Sequence, residues 1–105
     1  MSETMTSYLY GHVVEEEIHL TLIELCQACG VAETHVTTWV QEGVLEPIGE
    51  QPETWRFDGT SLRRARLALR LTRDLDINPA SVALVMDLLD EIDDLKAQLK
   101  RSGKA

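Results

Sequence analysis

Lysine and arginine are missing from Met1 to Trp55 of this 105-residue chain. The same stretch carries ten glutamates (3, 15, 16, 17, 24, 33, 42, 46, 50 and 53), so it repels phosphate and offers nucleic acid no anchor. Cysteine is scarce as well. Cys26 and Cys29 form a lone C-x-x-C, with no second pair to complete a zinc site and no βαβ pattern around it to suggest a redox enzyme. Long apolar runs are also missing: the longest, Val82 to Met86, falls far short of the roughly 20 residues that cross a bilayer. Met1 to Tyr10 has neither the basic n-region nor the apolar h-region of an export signal, which points to the cytoplasm and away from membranes. His12, His19 and His35 share no metal-ligand spacing, and no serine or cysteine stands beside a plausible base in sequence. An enzyme, a metal site and a cofactor are therefore not expected.

With 44% hydrophobic residues the chain can close one core, and its length suits one domain. Met1 to Glu17 is polar and turn-prone apart from Tyr8, Leu9 and Tyr10, and reads as a loose arm. Ile18 and Leu20 alternate with Glu17, His19 and Thr21, as in a short strand. Thr21 and Glu24 match the T-x-x-E capping box, so a helix is predicted from about Leu22 to Ala28, ended by Gly30. A second helix follows over about Glu33 to Gln41, with Val36, Trp39 and Val40 facing inward and Gly43 closing it. Two short helices across a glycine-containing turn are a helix-turn-helix. Ile48 to Thr54, with Gly49 and Pro52, followed by Trp55, Arg56 and Phe57, reads as a small hairpin, a wing packed by its aromatic residues.

Asp58 can cap a third helix of about Thr60 to Leu75. Its apolar positions Leu62, Ala65, Ala68, Leu69, Thr72 and Leu75, extended by Leu67 and Leu71, predict the most buried helix of the fold. Asn78 and Pro79 start a fourth helix that runs to about Lys100. Along it Val85, Leu88, Ile92, Leu95 and Leu99 are spaced 3, 4, 3, 4. That is the a/d seam of a coiled coil over about two heptads, and it calls for a partner helix, so a homodimer is expected. The predicted organisation is an arm over 1–17, a winged helix-turn-helix with its third helix over 18–77, a dimerising helix over 78–101 and a frayed tail over 102–105. The fold class is mainly α.

With these residues laid out, the chain resembles the CbpM family of chaperone modulators, which are built on a MerR-like winged helix-turn-helix. The resemblance is carried by Leu22 to Val31 (LIELCQACGV), Gly43 to Pro47 (GVLEP), Thr54 to Asp58 (TWRFD), Arg66 to Leu75 (RLALRLTRDL) and Ala83 to Leu95 (ALVMDLLDEIDDL). The first two stretches are common to MerR-like proteins; the last two are more particular. The resemblance implies binding to the J-domain of a CbpA-like, DnaJ-type co-chaperone, suppressing its co-chaperone activity and its association with DNA. It also implies that Cys26 occupies a core position usually held by a small alanine, hence a buried thiol. Asp76 departs from the pattern, standing where the family's D-L-G has glycine, and aspartate is the next most tolerant of a positive φ.

Winged helix-turn-helix proteins that bind DNA place the second helix in the major groove and anchor on phosphates with arginine and lysine. Here that helix has no basic residue and includes Glu33 and Glu42, and only Arg56 in the wing is positive, so DNA is an unlikely ligand. Arg63, Arg66, Arg70 and Arg73 fall within about 80° on the third helix. The plainer reading of this stripe is intramolecular pairing with the acidic surface; the sharper one is a partner or a phosphate. Asp87, Asp90, Glu91 and Asp94 cluster within about 100° on the last helix, opposite the apolar seam. They read either as a solvated face or as an acidic docking surface for the basic J-domain helix that engages DnaK. Trp39 and Trp55 read as packing. The leading expectation is a non-catalytic inhibitor of a J-domain co-chaperone. The alternative is a MerR-like heat-shock transcription regulator on an inverted repeat, and a third class is a thiol or metal sensor.

Overall fold

The computed structural model describes residues 18–103. The expected arm over 1–17 and the last two residues of the expected tail lie outside the described residues. Four helices carry the fold: α1 (Leu22–Cys29), α2 (Glu33–Gln41), α3 (Gly59–Leu75) and α4 (Pro79–Arg101), with a short 3-10 turn at Pro52–Thr54 between α2 and α3.

Local chemistry accounts for where each helix begins and ends. At α1 the Glu24 backbone N–H donates to the Thr21 hydroxyl (3.1 Å) and the Thr21 N–H donates to the Glu24 carboxylate (2.9 Å), which is the predicted capping box. These bonds hold the Glu24 carboxyl below its usual range. Their contribution is therefore present above the ordinary glutamate pKa of about 4.3, and fades as pH falls through the lowered folded value. Gly30 ends α1 at φ 69°, and a Cβ there would meet nothing. The backbone angle, not space, is what requires glycine at that position. Asp58 caps α3 by accepting from the Ser61 N–H (2.9 Å), and Asn78 caps α4 by accepting from the Ser81 N–H (2.8 Å), with Pro79 at the first helical position.

Two isolated antiparallel bridges stand where a strand and a hairpin were predicted. Leu20 and Phe57 exchange backbone hydrogen bonds of 2.7 and 2.8 Å, and Ile48 and Arg56 exchange bonds of 2.9 Å each. Pro52 lacks an N–H and opens the 3-10 turn, so the ladder cannot lengthen between them. Gly49 is needed here twice over: its φ is +113°, and a Cβ would lie 2.7 Å from the Thr54 carbonyl oxygen. Trp55 and Phe57 are buried and Arg56 between them is exposed, as the alternation predicted, with the two rings edge to face at 6.0 Å.

The core gathers Leu25, Val36, Trp39, Val44, Leu45, Phe57, Val82 and Met86 around the small residues Ala65 and Ala68 of α3. α1 packs on α2 and α3, and α4 packs on α2 and α3. Leu75 is a correction to the predicted apolar side of α3: it is 57% exposed. The chain reverses just beyond it at Asp76, and Ile77 is carried onto the core instead. Asp76 takes the left-handed conformation (φ 51°, ψ 43°) and is the one non-glycine residue with positive φ among the described residues. Asp76→Gly is therefore expected to stabilise the fold by about 0.5–1 kcal/mol, a gain of left-handed strain relief over backbone entropy. A higher urea midpoint at unchanged slope is the readout; an equal or lower midpoint would show that the aspartate is not strained there.

α4 leaves the domain part-way along its length. Val82 and Met86 are buried, but from Asp87 to Arg101 every residue except Ala97 is exposed.

Candidate functional site

A cleft of about 330 Å³ opens where the segment after α2, the first turn of α3 and the middle of α4 meet. Four carboxylates line it, from Glu46, Asp58, Asp87 and Asp90, together with Ser61 and Arg64. Arg64 is the only basic residue in the lining. Its Nε donates to the Val44 carbonyl (2.8 Å), and its Nη1 donates to both oxygens of Asp90 (3.1 and 3.2 Å). One guanidinium thus ties α3 to α4 and to the turn that follows α2. The Asp90 side chain is 54% exposed, so the ion pair itself contributes at most about 1 kcal/mol. Three carboxylates remain without that partner, and the cleft carries net negative charge facing solvent. Such a site attracts a lysine or arginine side chain and repels phosphate.

The acidic residues singled out from sequence are divided by the fold. Asp87 and Asp90 come together in this cleft, whereas Glu91 and Asp94 are exposed on α4 and do not line it. Glu33, at the start of α2, lines a separate groove of about 390 Å³ with Ile23, Pro52, Glu53 and Arg56. Glu42 caps the other end of α2. Sequence reasoning missed Glu46 and Arg64 as site residues and read Asp58 only as a cap. No local pattern reveals them, because Arg64 and Asp90 are 26 positions apart and Glu46 reaches the cleft only through the turn after α2.

The positive charges lie elsewhere. α2 contains no lysine or arginine, and Arg56 beside it turns its guanidinium back onto the Trp55 carbonyl (2.8 Å). Arg63, Arg66, Arg70 and Arg73 are exposed along α3.

The profile of the family described as MerR HTH family regulatory protein matches residues 20–102. Three relatives are each named Chaperone modulatory protein CbpM. That of Coxiella burnetii (strain Dugway 5J108-111) is 36% identical over 90 residues, covering 86% of this chain and 85% of the relative. That of Pseudomonas putida (strain W619) is 33% identical over 81 residues, 77% of this chain and 80% of the relative. That of Pseudomonas entomophila (strain L48) is 32% identical over 81 residues, with the same coverage of 77% and 80%. The chain belongs to the CbpM family.

Two further features of this CbpM-family chain bear on its chemistry. The residues of the predicted seam lie on a face of α4 distinct from Val82 and Met86: Leu88, Ile92, Leu95 and Leu99 are 54%, 45%, 49% and 48% exposed, and Val85 is half-buried. Leu84, 61% exposed, extends the same stripe. The thiols offer little reactivity. Cys26 is buried and Cys29 half-buried, and both are free. Burial pushes both thiol pKa values up, with the Glu33 charge adding to the effect at Cys26 and Arg66 opposing it at Cys29. Thiolate, the form that attacks electrophiles and binds metals, is thus scarce at neutral pH. Among the described residues no group of three or more His, Cys, Asp or Glu side chains could hold a metal ion. Nor is any helix among them long and apolar enough to cross a membrane.

Proposed function

We propose that this chain is a non-catalytic modulator that docks on the J-domain of a CbpA-like, DnaJ-type co-chaperone and lowers both its stimulation of DnaK and its hold on DNA. The observation that carries this reading is the cleft lined by Glu46, Asp58, Asp87 and Asp90. The J-domain helix that engages DnaK is basic in this class of co-chaperone, and a basic helix laid across an acidic cleft is hidden from DnaK. Charge complementarity supplies association rate and partner choice, and a few buried contacts supply affinity. Glu91 and Asp94 extend the negative face along α4, and Glu33 and Glu42 form a second acidic candidate on α2. The relatives' name, chaperone modulatory protein, supports the same reading. The apolar stripe of α4 would pair two copies, giving a homodimer with two clefts.

The test is titration of the J-domain into the full chain and into Glu46→Lys/Asp87→Lys. Reversal of two charges in the cleft is expected to weaken binding about 10–100-fold, chiefly through the association rate, and to release the inhibition of DnaK stimulation. Neither residue is buried, so the fold survives the change. Unaltered binding would move the dock to α2, which Glu33→Lys/Glu42→Lys then tests. A wild-type chain that ignores the J-domain would end this reading.

A second reading, a transcription regulator, is favoured by the description of the matching family profile. It requires salt-sensitive binding to an inverted repeat, against a second helix with no cation to place on phosphate.

A further inference from the structure

We infer that the groove between the start of α1, the start of α2 and the 3-10 turn is a docking site for a short cationic segment of another protein, one that presents aliphatic side chains beside lysine or arginine. The groove has a volume of about 390 Å³, and its lining includes Leu22, Ile23, Glu33, Pro52, Glu53 and Arg56.

The first observation is apolar exposure that the fold itself does not use. Most of the large apolar side chains left exposed among the described residues belong to α4, and Leu75 closes α3. The two that remain are Ile23, 58% exposed, and Ile48, 65% exposed. Ile23 lies in the groove wall. Ile48 is brought to the same place by its β-bridge. It exchanges both backbone hydrogen bonds with Arg56, and residues paired in this way send their side chains to the same side of the ladder. Arg56 lines the groove, so Ile48 stands at its rim. Trp55 and Phe57 take the opposite side and fill the core. Two exposed isoleucines gathered at one concavity form a patch, and apolar patches with a polar rim mark interaction sites.

The second observation is the charge of that rim. Glu33 and Glu53 are exposed, and neither joins a salt bridge among the described residues. The cation in the lining, Arg56, is already engaged, its Nη1 donating to the Trp55 carbonyl (2.8 Å). Glu24 follows Ile23 directly, and Glu50 stands two residues after Ile48. Carboxylates around an apolar floor repel nucleic acid and anionic lipid alike and attract lysine or arginine. The occupant is thereby a cationic stretch of protein with aliphatic residues in it. Its apolar contacts supply affinity, and the glutamates supply association rate and selection against acidic segments.

This groove shares no lining residue with the acidic cleft, so the inference does not depend on the J-domain reading.

The test titrates the full chain, with no J-domain present, with the blocked peptide Lys-Lys-Leu-Gly-Leu-Lys-Lys, whose leucines fall on one side of an extended segment. Backbone signals of Leu22, Gly49 and Arg56 in proton–nitrogen correlation spectra are expected to move. A control peptide with serine in place of both leucines is expected to leave them where they are. Ile23→Gln/Ile48→Thr is expected to weaken binding at the groove about tenfold, the scale set by burial of one aliphatic side chain. Both residues are exposed, so the fold survives, with circular dichroism as the control. Glu33→Gln/Glu53→Gln is expected to weaken binding about threefold at low salt and to have no effect at about 1 M salt. Groove signals that ignore the peptide or answer the serine control equally, or an affinity indifferent to the isoleucine substitutions, would overturn the inference. Groove signals that shift when the chain alone is diluted would assign the groove to a second copy and overturn it as well.

Discussion

Leu88→Glu is expected to turn the proposed homodimer into a monomer, raising the dissociation constant at least about 1000-fold, or roughly 4 kcal/mol. The argument begins with the length of α4. From residue 87 to residue 101 every residue except Ala97 is exposed, and among the described residues nothing covers the leucines and isoleucine of the stripe. Isolated helical segments of this length are marginal in water and draw their stability from packing of an apolar face. Leu84, Leu88, Ile92, Leu95 and Leu99 supply such a face, and the proposed two-fold pairing would bury it on both copies at once. In a symmetric seam one substitution places two carboxylates among leucines, each costing several kcal/mol when left unpaired. Leu88 is 54% exposed in the single chain, so the monomer's own fold loses little. Sedimentation equilibrium with circular dichroism as the folding control reads the result. A mass unchanged by Leu88→Glu and again by Leu95→Glu means that this stripe is not the contact.

The second large effect is on stability. Phe57→Ala is expected to cost about 3–5 kcal/mol, a large share of the roughly 5–15 kcal/mol that holds a small domain together. Phe57 is fully buried, its backbone exchanges both hydrogen bonds with Leu20, and its ring meets Trp55 edge to face. It sits two residues before α3, so one cavity loosens the bridge, the tryptophan and the start of the central helix together. Urea unfolding followed by tryptophan fluorescence measures the loss. Phe57→Leu, which keeps most of the volume, is expected to cost less than half as much; equal midpoints for parent and Phe57→Ala would place the core elsewhere.

Much of the architecture could be read from the chain because its signals are local. Thr21 with Glu24, Asp58, and Asn78 with Pro79 each satisfy backbone groups within three residues, so their chemistry declares a helix start without knowledge of the fold. Val36 with Trp39, and Trp55 with Phe57, declare an inward side by spacing alone, and both pairs are buried. The left-handed turn at Asp76 was legible only as a gap in a familial pattern, and the backbone there has the positive φ which that gap implied. The predicted strand and hairpin fared less well. Their extent depends on whether a neighbour continues the ladder, and Pro52 and Gly49 leave only single bridges.

The candidate site belongs to the other class of fact. Acidity of the first half, absence of cations from the second helix and an apolar seam on the last were written in residue order, since charge and helical period need no partner to be counted. Which carboxylates share a cleft was decided by packing. The approach of α4 to α3 and to the turn after α2 brings Asp87 and Asp90 against Glu46 and Asp58, and lets Arg64 reach across to Asp90 and to the Val44 carbonyl. Electrostatic meeting depends on distance through space, and only the closing of the core turns separations of tens of residues into ångströms.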